Sequence, residues 1–343
     1  MIRINLGLQG GGAHGAFTWG VLDRLLEEED IEIAAISGTS AGAMNAAAFK
    51  AGLLAGGRDG ARENLDWFWG QVGAINAPWI QDWLAALAPS IKGMAAALET
   101  SPGYQAFDAM ARMSSPYVFG PALRNPLTRI LTDLRFSDVC SESGPQLFVG
   151  ATNVRTGKIR VFAGEEITDQ ALMASACLPS LFQAVEMTDP VTGEIEAFWD
   201  GGYTGNPALF PLFASNLPDD ILIVNINPLY RAELPTDSLS IQNRINEISF
   251  NSSLLRELRA ISFVKRLIHD GALPQGAMKD VLVHMIADDG LMNELNVATK
   301  TVPTPVVLAR LKEAGEAAAD VFLANHKDDL NQRGTADLVE MFG

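Results

Sequence analysis

Ile2, Ile4, Leu6 and Leu8 alternate with other residues at the start of the chain, the two-residue period of a β-strand. The period then changes: across residues 16–29, Phe17, Val21, Leu22, Leu25 and Leu26 fall on one helical face, with acids gathered at its end. An apolar run from Ile31 to Ile36 predicts a second strand ending at Ser37. Residues 41–51, dense in alanine and other small residues, predict a tightly packed buried helix. Further strands are expected at 146–153 and 158–163, joined by the turn Arg155-Thr156-Gly157, and at 182–187, 195–199, 221–226 and 281–286. A long periodic helix or helix pair is expected at 238–269 and another at 304–323. This alternation implies an α/β fold, a mainly parallel central sheet flanked by helices on both faces.

Residues 54–135 differ in character. They hold four of the six tryptophans (Trp67, Trp69, Trp79 and Trp83) and short helical pieces at 59–71 and 80–87. Two readings stand side by side: a helical insertion covering the site as a lid or lipid-facing cap, or a packed helical subdomain whose tryptophans are core. The whole of 1–343 is then a single α/β domain, with 54–135 inserted in it and 238–343 a C-terminal helical extension plus one strand. The apolar stretch 79–98 is interrupted by Gln81, Asp82, Pro89 and Lys92 and falls short of a membrane-spanning helix. Residues 1–9 lead straight into glycines without a secretory pattern, so a cytoplasmic location is expected.

Charge narrows the classes of function. Against 25 Lys and Arg stand 41 Asp and Glu, a formal charge of -16, which argues against nucleic acid, whose affinity rests on cations neutralising phosphates. It equally disfavours a bulk electrostatic grip on anionic lipid. Peripheral membrane contact would have to use apolar insertion or a local basic stripe such as Arg256, Arg259, Lys265 and Arg266, which also reads as a solvated helix face. The two cysteines, Cys140 and Cys177, have no metal-ligand spacing and read as structural thiols of a reducing compartment.

Candidate chemistry begins where the second strand ends. Gly38-Thr39-Ser40-Ala41-Gly42 has the G-x-S-x-G spacing in which small residues either side of a serine permit a sharp strand-to-helix turn. One β-α unit upstream lies the turn Gly10-Gly11-Gly12-Ala13-His14-Gly15, whose N–H groups are candidates for stabilising an oxyanion. The base is less determined. Asp200, followed by Gly201-Gly202, stands where a strand meets a loop and serves a Ser-Asp dyad, a Ser-Asp-His triad completed by His269 or His284, or merely a turn. Gly10, Gly12 and Gly15 also match a dinucleotide fingerprint, but the acidic residue expected at the end of the second strand is replaced by Ser37-Gly38-Thr39-Ser40. No EF-hand spacing is present, and no metal or cofactor is expected.

The order and spacing of GGGAHG, GTSAG, ASACLPSLF at 174–182 and DGG at 200–202 resemble those of the patatin-like phospholipase family of the bacterial type, over about residues 5–230. The resemblance implies a three-layer patatin-like fold and a lipid acyl hydrolase with a Ser40–Asp200 dyad and no histidine. It also implies an oxyanion hole from the N–H groups of Gly10, Gly11 and Gly12, with Gly15, Gly38, Gly42, Gly201 and Gly202 supporting the motifs. By the same resemblance 174–182 would line the pocket, though it reads equally as a buried turn between helix and strand, and Asn153 would lie near it or, as its setting favours, serve a cap or turn. The family often carries Arg or Lys where this chain has His14, which puts the cation of that loop in question. Burial beside Trp199 and the glycines is expected to raise the Asp200 pKa. Substrate is a lipid or other acyl ester. An acyltransferase on the same acyl-enzyme and a non-catalytic lipid-binding protein are the alternatives.

Overall fold

The computed structural model describes residues 1–75, 90–118, 125–274 and 276–342. The helical piece expected at 80–87, with Trp79 and Trp83, lies outside them. Eight strands form one sheet: β1 (Ile2–Leu8), β2 (Ile31–Thr39), β3 (Gln146–Asn153), β4 (Ile159–Ala163), β5 (Val185–Thr188), β6 (Ile195–Asp200), β7 (Asp220–Asn225) and β8 (Leu282–Ala287). The order β3-β2-β1-β7-β8 is parallel throughout, while β4 and β6 run antiparallel to β3, and β5 antiparallel to β6. Every residue of β7 and all but the first two of β1 are buried, as strands covered on both faces must be.

The principal helices are α1 (Ala16–Leu25), α2 (Ala41–Gly73), α3 (Ile91–Glu99), α4 (Pro102–Met113), α5 (Asp169–Ser175), α6 (Ser238–His269), α7 (Val297–Thr301) and α8 (Pro305–His326). Two hydrophobic clusters divide between the faces of the sheet. The larger joins Leu6, Phe17, Val21, Phe49, Leu65, Phe198, Leu308 and Phe322; the smaller joins Leu209, Ile221, Ile223, Leu254 and Leu258 beneath α6. Helices α1 and α8 approach so closely that a β-carbon on Gly20 would overlap the Lys312 carbonyl and one on Gly315 the Phe17 carbonyl.

Several boundaries differ from the sequence reading, each for a local reason. Strand β2 runs on to Thr39 because Gly38 pairs with Leu8 and Thr39 with Gly150, pairing that small residues sustain without any apolar signature. Strand β5 starts at Val185, since Leu181 and Phe182 donate to the Leu178 carbonyl in a turn. Helix α1 stops at Leu25, and the acids after it lie in a terminal turn. The helix expected at 41–51 continues to Gly73 through a kink at Gly56 and Gly57, the latter at φ 66°. Its second half is bound to the body of the fold. Arg58 donates to the carbonyls of Leu26 and Ile31, Arg62 pairs with Asp23, and buried Trp69 stacks on Trp19 and donates to Asn45 Oδ1 at 2.9 Å. Residues 58–73 therefore pack on the body of the fold through one face.

Candidate active site

Strand β3 brings two distant segments together along one edge. Residues 146–150 of that edge pair with β2, and 151–153 pair with β6, which arrives antiparallel from the opposite direction; β4 occupies the other edge. The register puts Thr39 opposite Gly150 and Asp200 opposite Ala151. The C-terminal ends of β2 and β6 thus meet head to head, and the next residue after Thr39 is Ser40.

Ser40 sits at φ 52°, ψ -122°, a rare conformation for a residue with a β-carbon, between the end of β2 and the start of α2. Its N–H donates to Ser175 Oγ at 2.9 Å, and that hydroxyl donates onward to the Gly150 carbonyl at 2.7 Å. Ser175, at the end of α5, thereby ties the turn to β3. Thr39 Oγ1 donates to the Gly205 carbonyl at 2.7 Å, which pins the loop after Asp200 to the same turn. The motif glycines admit this crowding. A β-carbon on Gly10 would lie 2.6 Å from that of Ser40, one on Gly15 would lie 2.6 Å from that of Ala41, and one on Gly38 2.7 Å from the Gly42 carbonyl. One on Gly42 would overlap the Leu8 carbonyl, one on Gly201 the Gly150 carbonyl, and one on Gly202 the Phe250 ring.

Asp200 is fully buried. Its Oδ1 accepts the Gly202 N–H at 2.7 Å, closing the turn, while Oδ2 has no hydrogen-bond partner of full geometry. Burial pushes the carboxyl pKa up to about 7, outweighing the opposing pull of the Gly202 N–H and of the nearby Ser40 hydroxyl. No hydrogen bond of full geometry joins the Ser40 hydroxyl to this carboxylate. The backbone of Asp200 is held on both sides: its N–H donates to the Cys177 carbonyl at 2.8 Å, and its carbonyl accepts Thr152 Oγ1 at 2.8 Å.

The glycine turn after β1 lies against Ser40. The Gly10 N–H is already donated to Asn206 Oδ1 at 2.6 Å, which corrects the expectation that all three glycine N–H groups stand open. Those of Gly11 and Gly12 have no acceptor among the described residues. Three buried amides frame the turn. Gln9 Oε1 accepts the N–H groups of Ile226 and Asn227, and Asn206 Nδ2 and Asn227 Nδ2 donate to the Gly10 carbonyl at 3.3 and 2.8 Å. None of these amides carries a sequence motif; they converge from positions about two hundred residues apart.

The histidines stand elsewhere. His284 is buried within β8, with Nε2 2.9 Å from Asp220 Oδ1 and Nδ1 3.0 Å from Thr335 Oγ1. His269 is exposed at the far end of α6, about 28 Å along the helix from Phe250, the ring packed on Gly202. His326 pairs with Asp329. A triad through His284 or His269 is therefore excluded in this arrangement. His14 is buried with Nε2 2.8 Å from Thr299 Oγ1, and burial together with the neighbouring Lys300 holds its pKa well below the ordinary value. Asn153 serves a turn, its Oδ1 accepting the N–H groups of Arg155 and Thr156.

Both cysteines are free thiols: Cys140 donates to the Ile167 carbonyl and buried Cys177 to that of Gln183, with burial driving the Cys177 pKa up to about 12. The basic stripe on α6 is locally engaged, Lys265 with Asp280, Arg259 over Phe342 and Arg266 over Phe263. Among the described residues no cluster of His, Cys, Asp and Glu could hold a metal, and no helix is long and apolar enough to cross a membrane.

Among solved structures, the chain is similar to VipD from Legionella pneumophila at 17% sequence identity and a TM-score of 0.43, covering 95% of this chain and 67% of that one. No curated protein matches it. The model of the patatin-like phospholipase family matches residues 6–218, a span that takes in the glycine turn, the Ser40 turn and the Asp200 loop. With well over half its length so matched, the chain belongs to the patatin-like phospholipase family of lipid acyl hydrolases.

Proposed function

We propose that the protein cleaves carboxylic ester bonds of lipids, as a phospholipase A or lysophospholipase, through a Ser40–Asp200 dyad and an acyl-enzyme. The observation that carries this reading is the buried Asp200 carboxylate, with one oxygen unpartnered, beside a serine hydroxyl held in a rare backbone conformation. Ser40 Oγ attacks the ester carbonyl carbon as Asp200 takes its proton. The carbonyl oxygen becomes an oxyanion, for which the open N–H groups of Gly11 and Gly12 are the donors, each worth roughly 3 to 4 kcal/mol by the usual measure of such holes. Collapse breaks the bond to the alcohol or lysolipid, which leaves with the proton from Asp200. A water then gives its proton to Asp200, attacks the acyl carbon and frees the acid and Ser40. A carboxylate titrating near neutrality suits both halves of this cycle, because it must accept and return one proton per half-reaction.

The lipid surface is met peripherally. Ile241, Ile245 and Ile248 form an exposed stripe at helical spacing on α6, while Phe250, on the opposite side of the same helix, meets Tyr203 edge to face, three residues past Asp200.

Fluorophosphonate labelling and p-nitrophenyl ester turnover test the dyad in wild type, Ser40→Ala, Asp200→Asn and His284→Ala. Loss of turnover in the first two, with His284→Ala active per folded molecule, is expected. Retained turnover in Ser40→Ala would remove the proposal.

A further inference from the structure

Lys300, from α7, lies outside the segment matched by the family model, yet its backbone packs on the glycine turn so tightly that a β-carbon on Gly12 would overlap the Lys300 carbonyl. Its ammonium is partly buried and donates to one neutral atom, Asn227 Oδ1, at 2.9 Å; it makes no ion pair with a carboxylate among the described residues. The same Asn227 amide donates from Nδ2 to the Gly10 carbonyl at 2.8 Å. That carbonyl belongs to the peptide whose N–H is that of Gly11. In a trans peptide the two groups point in opposite directions. Anchoring the Gly10 oxygen on Asn227 therefore aims the Gly11 N–H away from that amide and polarises it as a donor, and a cation on the far side of the amide strengthens each link in turn.

His14 does not supply that charge. Thr299 Oγ1 gives its one hydrogen to the Asn296 carbonyl at 2.8 Å, so His14 Nε2 must be the donor in their 2.8 Å contact, and its buried Nδ1 has no partner: the ring is neutral.

We infer that Lys300 is a positioning residue of the reaction, acting through Asn227 and the Gly10–Gly11 peptide to orient and strengthen the Gly11 N–H against the oxyanion. The inference rests on the proposed site at Ser40. The groups that set the field at Lys300 are Glu247 of α6, which favours its charge, and Arg231, which opposes it, with His14 of the glycine turn as a further neighbour. Burial lowers the Lys300 pKa to about 8, so the ammonium is charged below that pH and neutral above it.

The test is the pH dependence of p-nitrophenyl butyrate hydrolysis by the full chain, per folded molecule, in wild type, Lys300→Met, Lys300→Arg, Asn227→Ala and the Lys300→Met/Asn227→Ala double variant. Wild-type kcat is expected to fall as the pH rises past about 8. Lys300→Met lowers kcat at neutral pH roughly ten- to thirtyfold, less than loss of a direct oxyanion donor, with KM within about twofold, and abolishes that alkaline limb. Lys300→Arg keeps most of the activity and shifts the limb beyond the measured range, because a guanidinium stays charged. The double variant is no slower than the worse single variant, as a relay requires. A folded Lys300→Met with unchanged kcat and an unchanged limb overturns the inference. Should that variant not fold, a limb still at about pH 8 in Lys300→Arg overturns it equally. Ester turnover surviving Ser40→Ala would instead sink the site itself.

Discussion

A carboxylate that must take a proton from a serine hydroxyl works best with its own pKa near the working pH, and an exposed aspartate sits far too low. In the proposed dyad, burial of Asp200 meets this requirement. Its pKa is raised from 3.8 to about 7, so kcat/KM on a soluble ester is expected to show an acidic limb centred near pH 7; a profile flat down to pH 5 would exclude Asp200 as the base. The same shift makes the site a stability liability. The folded protein keeps the Asp200 proton between pH 3.8 and about 7, where the unfolded chain has lost it, so the stability from this group is fully present below pH 3.8 and lost as the pH rises through 7. The full loss is on the order of 4 kcal/mol. Asp200→Asn, which cannot ionise, is therefore expected to melt above wild type at pH 8 and to lose that advantage at pH 4. Ser40 and Asp200 could be proposed from the sequence because each sits in a short local pattern with a steric reason for its glycines. Asn206, Asn227 and Lys300 carried no such pattern, since they act through hydrogen bonds to partners that only the fold brings near.

The meeting of β2 and β6 on one edge of β3 is what turns two motifs 160 residues apart into a site. The tightest point in that junction is Gly201, where a β-carbon would overlap the Gly150 carbonyl and press on Thr39. Gly201→Ala should therefore push β6 away from β3, destabilising the fold by about 1–3 kcal/mol, the usual range for overpacking, and reducing kcat beyond the fraction unfolded. Thermal melts read beside turnover per folded molecule separate the two effects, and unchanged kcat would show that the junction does not set the dyad's spacing. Alternation and helical period marked every strand and the long helices of the described residues, including α6 at its observed limits. The antiparallel arrival of β6 left no trace in those periods, because pairing partners are chosen by the chain's path and not by the strand's own residues. Strand ends were missed where Gly38 and Thr39 extend a ladder without apolar side chains, and the kink at Gly56 and Gly57 looked like the end of a helix that resumes and packs Trp69 into the core.

At the scale of the whole molecule, a formal charge of -16 and an apolar stripe on α6 pull in different directions at a lipid surface. The charge repels anionic headgroups over a Debye length of about 10 Å at 0.1 M salt, while Ile241, Ile245 and Ile248 gain by leaving water whatever the headgroup carries. Of the cations on α6, Lys265 is already paired with Asp280, and the remainder are few against the net charge. Vesicle sedimentation should thus show stronger binding to zwitterionic than to anionic vesicles at low salt, with the gap closing as salt is raised. Replacing Ile241, Ile245 and Ile248 together by serine should weaken binding to both vesicle types and slow hydrolysis of vesicle lipid, yet leave turnover of a soluble short-chain ester unchanged, because none of the three touches the dyad. Stronger binding to anionic vesicles at low salt would mean that a local basic surface, and not the isoleucine stripe, governs how the enzyme reaches its substrate.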